Sequence, residues 1–136
     1  MPSPLLMPVT LVAAAVFGLM LVTLAVYVIR GRFKHRTVHG DQGNEDMLIR
    51  MRTHANFIEY VPFALILMAL LESSGANQFT LALGAAAFFV FRILHVFGMR
   101  QKYPARLRRI GAAGTFLTLI FASIWALVIA TGSLVA

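Results

Sequence analysis

The chain has no cysteine. That excludes disulfides, thiolate metal sites and a cysteine nucleophile supplied by the protein itself. Charge is also scarce: 12% of the 136 residues are charged, against about 25% in soluble domains. Acidic residues are the scarcest of all, five against twelve Lys and Arg. No repeat, low-complexity tract or internal boundary interrupts the chain, which reads as a single domain over residues 1–136. No metal is expected.

What fills the space is hydrocarbon, at 60% of residues, above the roughly 45–50% of soluble domains. Met1 to Ile29 and Ile110 to Ala136 carry no charged side chain, and each exceeds the roughly 20 residues that cross a bilayer. The first run does not read as a cleaved signal peptide, because it lacks a basic leading region and its apolar stretch is too long. The net charge of +7 is not spread as a nucleic-acid binder would spread it. The cations gather in two loops between apolar runs, which is a membrane orientation signal, so no nucleic-acid partner is expected.

The pattern predicts an all-α fold, a bundle of four transmembrane helices. Helix 1 is read from about Leu5 to Ile29, with Pro8 in its first turn, where a missing N–H costs little. The polar loop "RGRFKHRTVHGDQGNED" follows, and His35 and His39 read as solvated loop residues. Asn44 is a plausible N-cap, with Glu45 and Asp46 in the first turn. Helix 2 is read from about Glu45 to Ser73, with a kink expected at Pro62. The short turn "SSGANQ", with Gly75 past one helix and Asn77 capping the next, makes helices 2 and 3 antiparallel neighbours. Helix 3 is read from about Gln78 to Met99, and helix 4 from Pro104 at its first position to about Thr131. Gly84, Gly111 and Gly114 are expected to let helices approach closely.

Counting sets the expected orientation. Arg30, Arg32, Lys34, Arg36, Arg50 and Arg52 lie between the apolar runs of helices 1 and 2, and Arg100, Lys102, Arg106, Arg108 and Arg109 between those of helices 3 and 4. The two termini and the central turn have no Lys or Arg. The positive-inside rule then predicts both basic loops in the cytoplasm and both termini outside.

Helix 2 carries Arg52, Asn56 and Glu59 at i, i+4 and i+7, one face of a helix. Helix 3 carries Arg92 and His95 at i and i+3. Antiparallel helices bring these groups to one membrane level, and Arg106 opens helix 4 at that level. Charged residues within a span normally face the bundle interior or a wet cavity, paired, so Glu59 is expected to pair with Arg92 or Arg52. The bland reading is an ion pair that fixes helix register. Three arginines against one carboxylate argue for more, because the surplus calls for an anion. Arg106 adds to this: it is a cation at a helix N-terminus, where a bound anion would reverse the penalty. Lys102, Arg108 and Arg109 fit headgroup contacts. A small zwitterion with net negative charge would satisfy the set, its ammonium on Glu59 and its carboxylates on arginines. Glutathione is one such molecule, and it brings the thiol the chain lacks, although the charge pattern alone does not select it.

The segment "RTHANFIEYVP" resembles the helix-2 motif of the MAPEG family, the membrane-associated proteins in eicosanoid and glutathione metabolism: an arginine, Asn-x-x-Glu, then an aromatic and a proline. "FRILHVFG" resembles the family's helix-3 segment, in which an arginine precedes a histidine or tyrosine by three. The resemblance covers the whole chain, and the wording is most similar to bacterial members. It implies a homotrimer with glutathione between neighbouring subunits near the cytosolic face. By position it implies that Arg30, Arg52, Asn56, Glu59, Tyr60, Arg92 and His95 hold glutathione and that Arg106 stabilises its thiolate. Where some members carry a tyrosine four residues past the position of His95, this chain has Met99, with Tyr103 the nearest substitute.

The expected function is therefore a glutathione-dependent transferase of a bacterial inner membrane. It would conjugate hydrophobic electrophiles, or reduce peroxides, that partition into the bilayer with the lipids. The alternative is a non-enzymatic protein that binds an anionic lipid or fatty acid with the same arginines. A transporter is the weaker third reading, since helices 1 and 4 offer no charged pathway.

Overall fold

A computed structural model describes residues 6–135. Among these the chain forms α1 (Pro8–His35), α2 (Glu45–Ser73), α3 (Gln78–Gly98) and α4 (Arg106–Val135). All four are long and apolar enough to cross a membrane. At about 1.5 Å per residue, α3 matches the roughly 30 Å hydrocarbon core. The other three are longer and extend beyond it.

Local chemistry sets the boundaries. Pro8 is the first residue of α1; the expected start at Leu5 lies outside the described residues. The helix does not stop at Ile29 but continues through "RGRFKH" to His35, because nothing there breaks it until Arg36 turns left-handed at φ 52°. The N–H groups of Arg36 and Thr37 then return to the carbonyls of Phe33 and Arg32, closing the helix as a Schellman motif does. His35 is thus helical and partnered: its Nε2 lies 2.8 Å from Asp46 Oδ2.

Asn44 caps α2, its side chain accepting the Met47 N–H at 2.9 Å. Pro62 is accommodated within a helix that runs unbroken to Ser73. The end is another Schellman motif: Gly75, at φ 78°, donates to Glu72 and Ala76 donates to Leu71. Asn77 caps α3 through the Thr80 N–H at 2.9 Å. Helix α4 does not open at Pro104. Ala105 has φ 32°, outside helical geometry, so the helix begins at Arg106. Gln101 supplies the missing cap, its Oε1 accepting the Leu107 N–H at 3.0 Å.

The helices associate chiefly as two antiparallel pairs, α3 with α4 and α1 with α2. Glycine sets the first pair. A Cβ on Gly98 would strike the Arg108 backbone, one on Gly111 the His95 backbone, and one on Gly114 the Phe91 ring. Gly84 does not share this role, since a Cβ there meets nothing within 4 Å. The α1–α2 pair is tied at both ends. The Glu72 carboxylate accepts the Val9 and Thr10 N–H groups at 2.9 and 2.7 Å. At the basic end, Arg50 Nη1 donates to the Tyr27 carbonyl at 2.8 Å, crossing α1 at Gly31, where any Cβ would collide with the Arg50 side chain. Between the pairs, Phe17 of α1 packs on Phe57 of α2 and Phe88 of α3, with ring centroids 6.3 and 5.4 Å away. This aromatic cluster is the floor beneath the polar groups.

Candidate functional site

Arg92 is the centre of the polar cluster. It is 1% exposed and lies over the Phe57 ring, 5.9 Å from its centroid. A guanidinium so placed needs partners. Nη2 donates to Asn56 Oδ1 of α2 at 2.8 Å, and Nη1 to Thr115 Oγ1 of α4 at 3.4 Å. Its Nε is buried without a partner among the described residues, as is Nδ1 of His95, one turn along α3. Thr115 is also 1% exposed. It reaches this position because Gly111 and Gly114 bring the α4 backbone against α3.

The expected ion pair between Glu59 and Arg92 or Arg52 is not formed: among the described residues Glu59 makes no ion pair within 4 Å. The reason is direction along α2. Asn56 turns inward and satisfies Arg92, whereas Arg52 and Glu59 turn to the outer surface of the chain, both exposed. Tyr60 is half-buried, its ring edge-on to Phe116 of α4 at 5.5 Å. Arg30 and Arg106 are exposed. Tyr103 is 95% exposed, and Met99 is half-buried just after α3. The fold therefore joins Asn56, Arg92 and His95 at the contact of α2, α3 and α4, and sets Arg30, Arg52, Glu59 and Arg106 on the outer surface.

Two contributors escaped the sequence reading. Thr115 carried a faint signal, four residues after Gly111 on the small-residue face of α4. The other is Asp46, which joins both basic loops. Its carboxylate lies 2.8 Å from His35, 3.0 Å from Arg50, 3.2 Å from Arg100 and 3.8 Å from Lys34. Tyr27 sits between the two arginines, 4.1 Å from Arg50 and 5.1 Å from Arg100. Reading Asp46 only as a first-turn helix acid concealed this, because its partners come from three separate segments.

Cavities lie away from Asn56, Arg92 and His95, and one of them is lined by Arg106. An apolar groove of 610 Å³ runs between α1 and α3 from Pro8 and Gln78 to Phe17 and Phe89. A second, of 460 Å³, lies along the outer face of α4 at Arg106, Arg109, Ile110 and Ala113. Among the described residues, no group of three His, Asp or Glu side chains is placed to hold a metal ion.

Four apolar helices long enough to span a membrane, three of them meeting at a buried arginine, with further charges on the outer surface, define a multi-pass membrane protein built around a polar site. The chain belongs to the MAPEG family, whose model matches residues 10–128, through all four helices. It is 29% identical over 115 residues to the inner membrane protein YecN of Escherichia coli K12, covering 82% of this chain and 87% of the relative. The YecN of a second strain, O6:H1, gives the same figures. No solved structure gives a significant match.

Proposed function

We propose that the protein is a membrane-bound, glutathione-dependent transferase whose site is completed between copies of a homotrimer. One observation carries this reading: Glu59 lies at the midpoint of α2 and is exposed on the outside of the chain, as is Arg52 two turns away. The basic end of α2 extends beyond the hydrocarbon, so Glu59 and Arg52 lie off the centre of the span. Charged side chains there cost less than the roughly 2.5–3.5 kcal/mol that insertion scales give at a helix centre, but the cost is real. They are normally turned to a partner or a wet cavity. A neighbouring copy supplies the cover, and a zwitterionic ligand supplies the counter-charges. The glutathione ammonium meets Glu59, Arg52 and Asn56 hold its peptide and carboxylates, and Arg106 stabilises the thiolate, the nucleophilic form. The thiolate attacks an electrophile arriving through the bilayer. Both basic ends face the cytoplasm.

The test is calorimetry and turnover on protein purified in detergent. Saturable glutathione binding and conjugation of 1-chloro-2,4-dinitrobenzene are expected. Absence of glutathione binding overturns the reading. A second reading rests on the α4 surface, where Arg106 and Arg109 sit beside Ile110 and Ala113, an arrangement suited to an anionic lipid headgroup with its chain below. Glutathione binding without turnover of any electrophile, together with tight co-purifying anionic lipid, favours that alternative.

A further inference from the structure

The hydrogen bond between Arg92 and Asn56 fixes more than helix packing. A guanidinium only donates. The Asn56 atom 2.8 Å from Nη2 is therefore the carboxamide oxygen, an assignment that does not depend on how the two ends of an amide are told apart. Nδ2 is then held on the side away from Arg92, and among the described residues it makes no hydrogen bond.

Arg92 is itself held from behind. Thr115 uses its one hydroxyl hydrogen on the Gly111 carbonyl at 2.8 Å, so toward Arg92 it can only accept, and it takes Nη1 at 3.4 Å. The chain of bonds has one direction throughout: Arg92 donates to Thr115 and to Asn56, so Oδ1 is turned to Arg92 and the amide presents its two Nδ2 N–H donors away from it. Every link but the last is buried, with Arg92 and Thr115 each 1% exposed, whereas Asn56 is half-buried and so reaches the edge of the site. Residue 115 must be close for this to work, and Gly111 and Gly114 make it so.

We infer that Arg92 and Thr115 are positioning residues that lock Asn56 as a donor toward the ligand, so that the ligand group seated there is an acceptor, a carboxylate or peptide carbonyl oxygen, and not an ammonium, which only donates. Neither Arg92 nor Thr115 touches the ligand. The inference rests on the glutathione reading and sharpens it. Glu59 lies three residues beyond Asn56 on α2 and accepts only. The tripeptide therefore binds with its ammonium at Glu59 and an oxygen at Asn56, nearer the basic loops.

The chain has three asparagines, at 44, 56 and 77, so selective ¹⁵N-asparagine labelling gives three side-chain amide pairs, and the pair lost in N56D is that of Asn56. In the ligand-free protein, T115V and R92K are expected to shift that pair and T115S to restore it; an unmoved pair in both disproves the positioning chain whether or not glutathione binds. With glutathione, the Asn56 pair is expected to move on saturation. N56D keeps the oxygen for Arg92 but loses the donor, and is expected to bind about tenfold or more weakly. T115V is expected to weaken binding about fivefold, with T115S recovering it. Wild-type affinity in N56D, or an Asn56 pair that stays still in the saturated protein, overturns the donor role while leaving the glutathione reading intact. A wild-type protein that does not bind glutathione sinks that reading and the acceptor's identity with it. If T115V does not fold, N56D and the ligand-free spectrum of R92K still decide.

Discussion

The carboxylate of Glu72 accepts the backbone N–H of Thr10 at 2.7 Å, across 62 positions of sequence. Its second oxygen takes the Val9 N–H, and Met7, at the N-cap position of α1, offers no side-chain bond of its own. Glu72 therefore caps α1 from the end of α2. An N-cap contributes about 0.5–2 kcal/mol, and bonds to a charged acceptor about 1.5–3. Glu72→Ala is expected to lower stability by about 2 kcal/mol, read as a depressed thermal midpoint in detergent. Glu72→Gln, which keeps one acceptor oxygen, is expected to fall between. An alanine variant as stable as the parent would show that the carboxylate caps nothing.

Gly111 and Gly84 make a matched pair of tests. A methyl group at 111 meets the His95 backbone, whereas at 84 it meets nothing within 4 Å. Backbone cannot yield as a side chain does, so Gly111→Ala forces α3 and α4 apart, and overpacking of this kind costs about 1–3 kcal/mol. Gly84→Ala is expected to be neutral or stabilising by up to about 1 kcal/mol, since alanine is the better helix former. Equal midpoints for the two variants would contradict the close approach at Gly111.

The contrast between those glycines shows what sequence carries and what it does not. The spans, the caps at Asn44 and Asn77 and the turn at Gly75 were legible, because each depends on residues within a few positions of one another. The end of α1 was not, since the hydrocarbon stops near Ile29 but the helix stops only where Arg36 turns left-handed. Nor was the start of α4, where Ala105 displaces the helix beyond Pro104. At the site, helix periodicity puts Arg52, Asn56 and Glu59 on one face of α2. It could not say that this face lies at the edge of the bundle, where Asn56 reaches Arg92 and Arg52 and Glu59 stay exposed, because that depends on where α3 and α4 lie. Thr115 was invisible for the same reason.

Asp46 is the one carboxylate shared by His35, Arg50, Arg100 and Lys34. Removing its charge leaves Lys34, Arg50 and Arg100 near one another beside the His35 ring with no counter-ion between them. It also leaves the side chain of Arg100, in the segment between α3 and α4, held among the described residues by its bond to the Tyr27 hydroxyl alone. Asp46→Asn is expected to speed tryptic cleavage after Arg100 and Lys102 several-fold, with α2 itself intact by circular dichroism. A cleavage rate equal to that of the parent would mean that Asp46 does not restrain this loop.

The lack of cysteine makes orientation directly measurable, because any introduced thiol is the only one in the chain. Val38, 72% exposed between α1 and α2, and Ser74, exposed between α2 and α3, lie at opposite ends of the bundle. With the basic loops in the cytoplasm, Ser74→Cys is expected to react with a membrane-impermeant maleimide in intact cells, or after outer-membrane permeabilisation, and Val38→Cys only after lysis. The reverse pattern would invert the proposed topology.

Arg106 is the residue proposed to act on the thiol, and pH separates that role from simple binding. A guanidinium beside the sulfur favours thiolate, so its loss raises the thiol pKa and moves the acidic limb of the rate profile toward alkaline pH. At fixed neutral pH the thiolate fraction falls about tenfold for each unit of that shift. Arg106→Ala is therefore expected to lose turnover of 1-chloro-2,4-dinitrobenzene at pH 7, regain part of it at higher pH, and keep its assembly state. Glu59→Gln, which touches only the proposed ammonium site, is expected to raise the KM for glutathione and leave the pH profile where it was. A profile unmoved by Arg106→Ala would take the thiolate role from this arginine, and equal effects of the two variants on KM alone would make both of them binding groups.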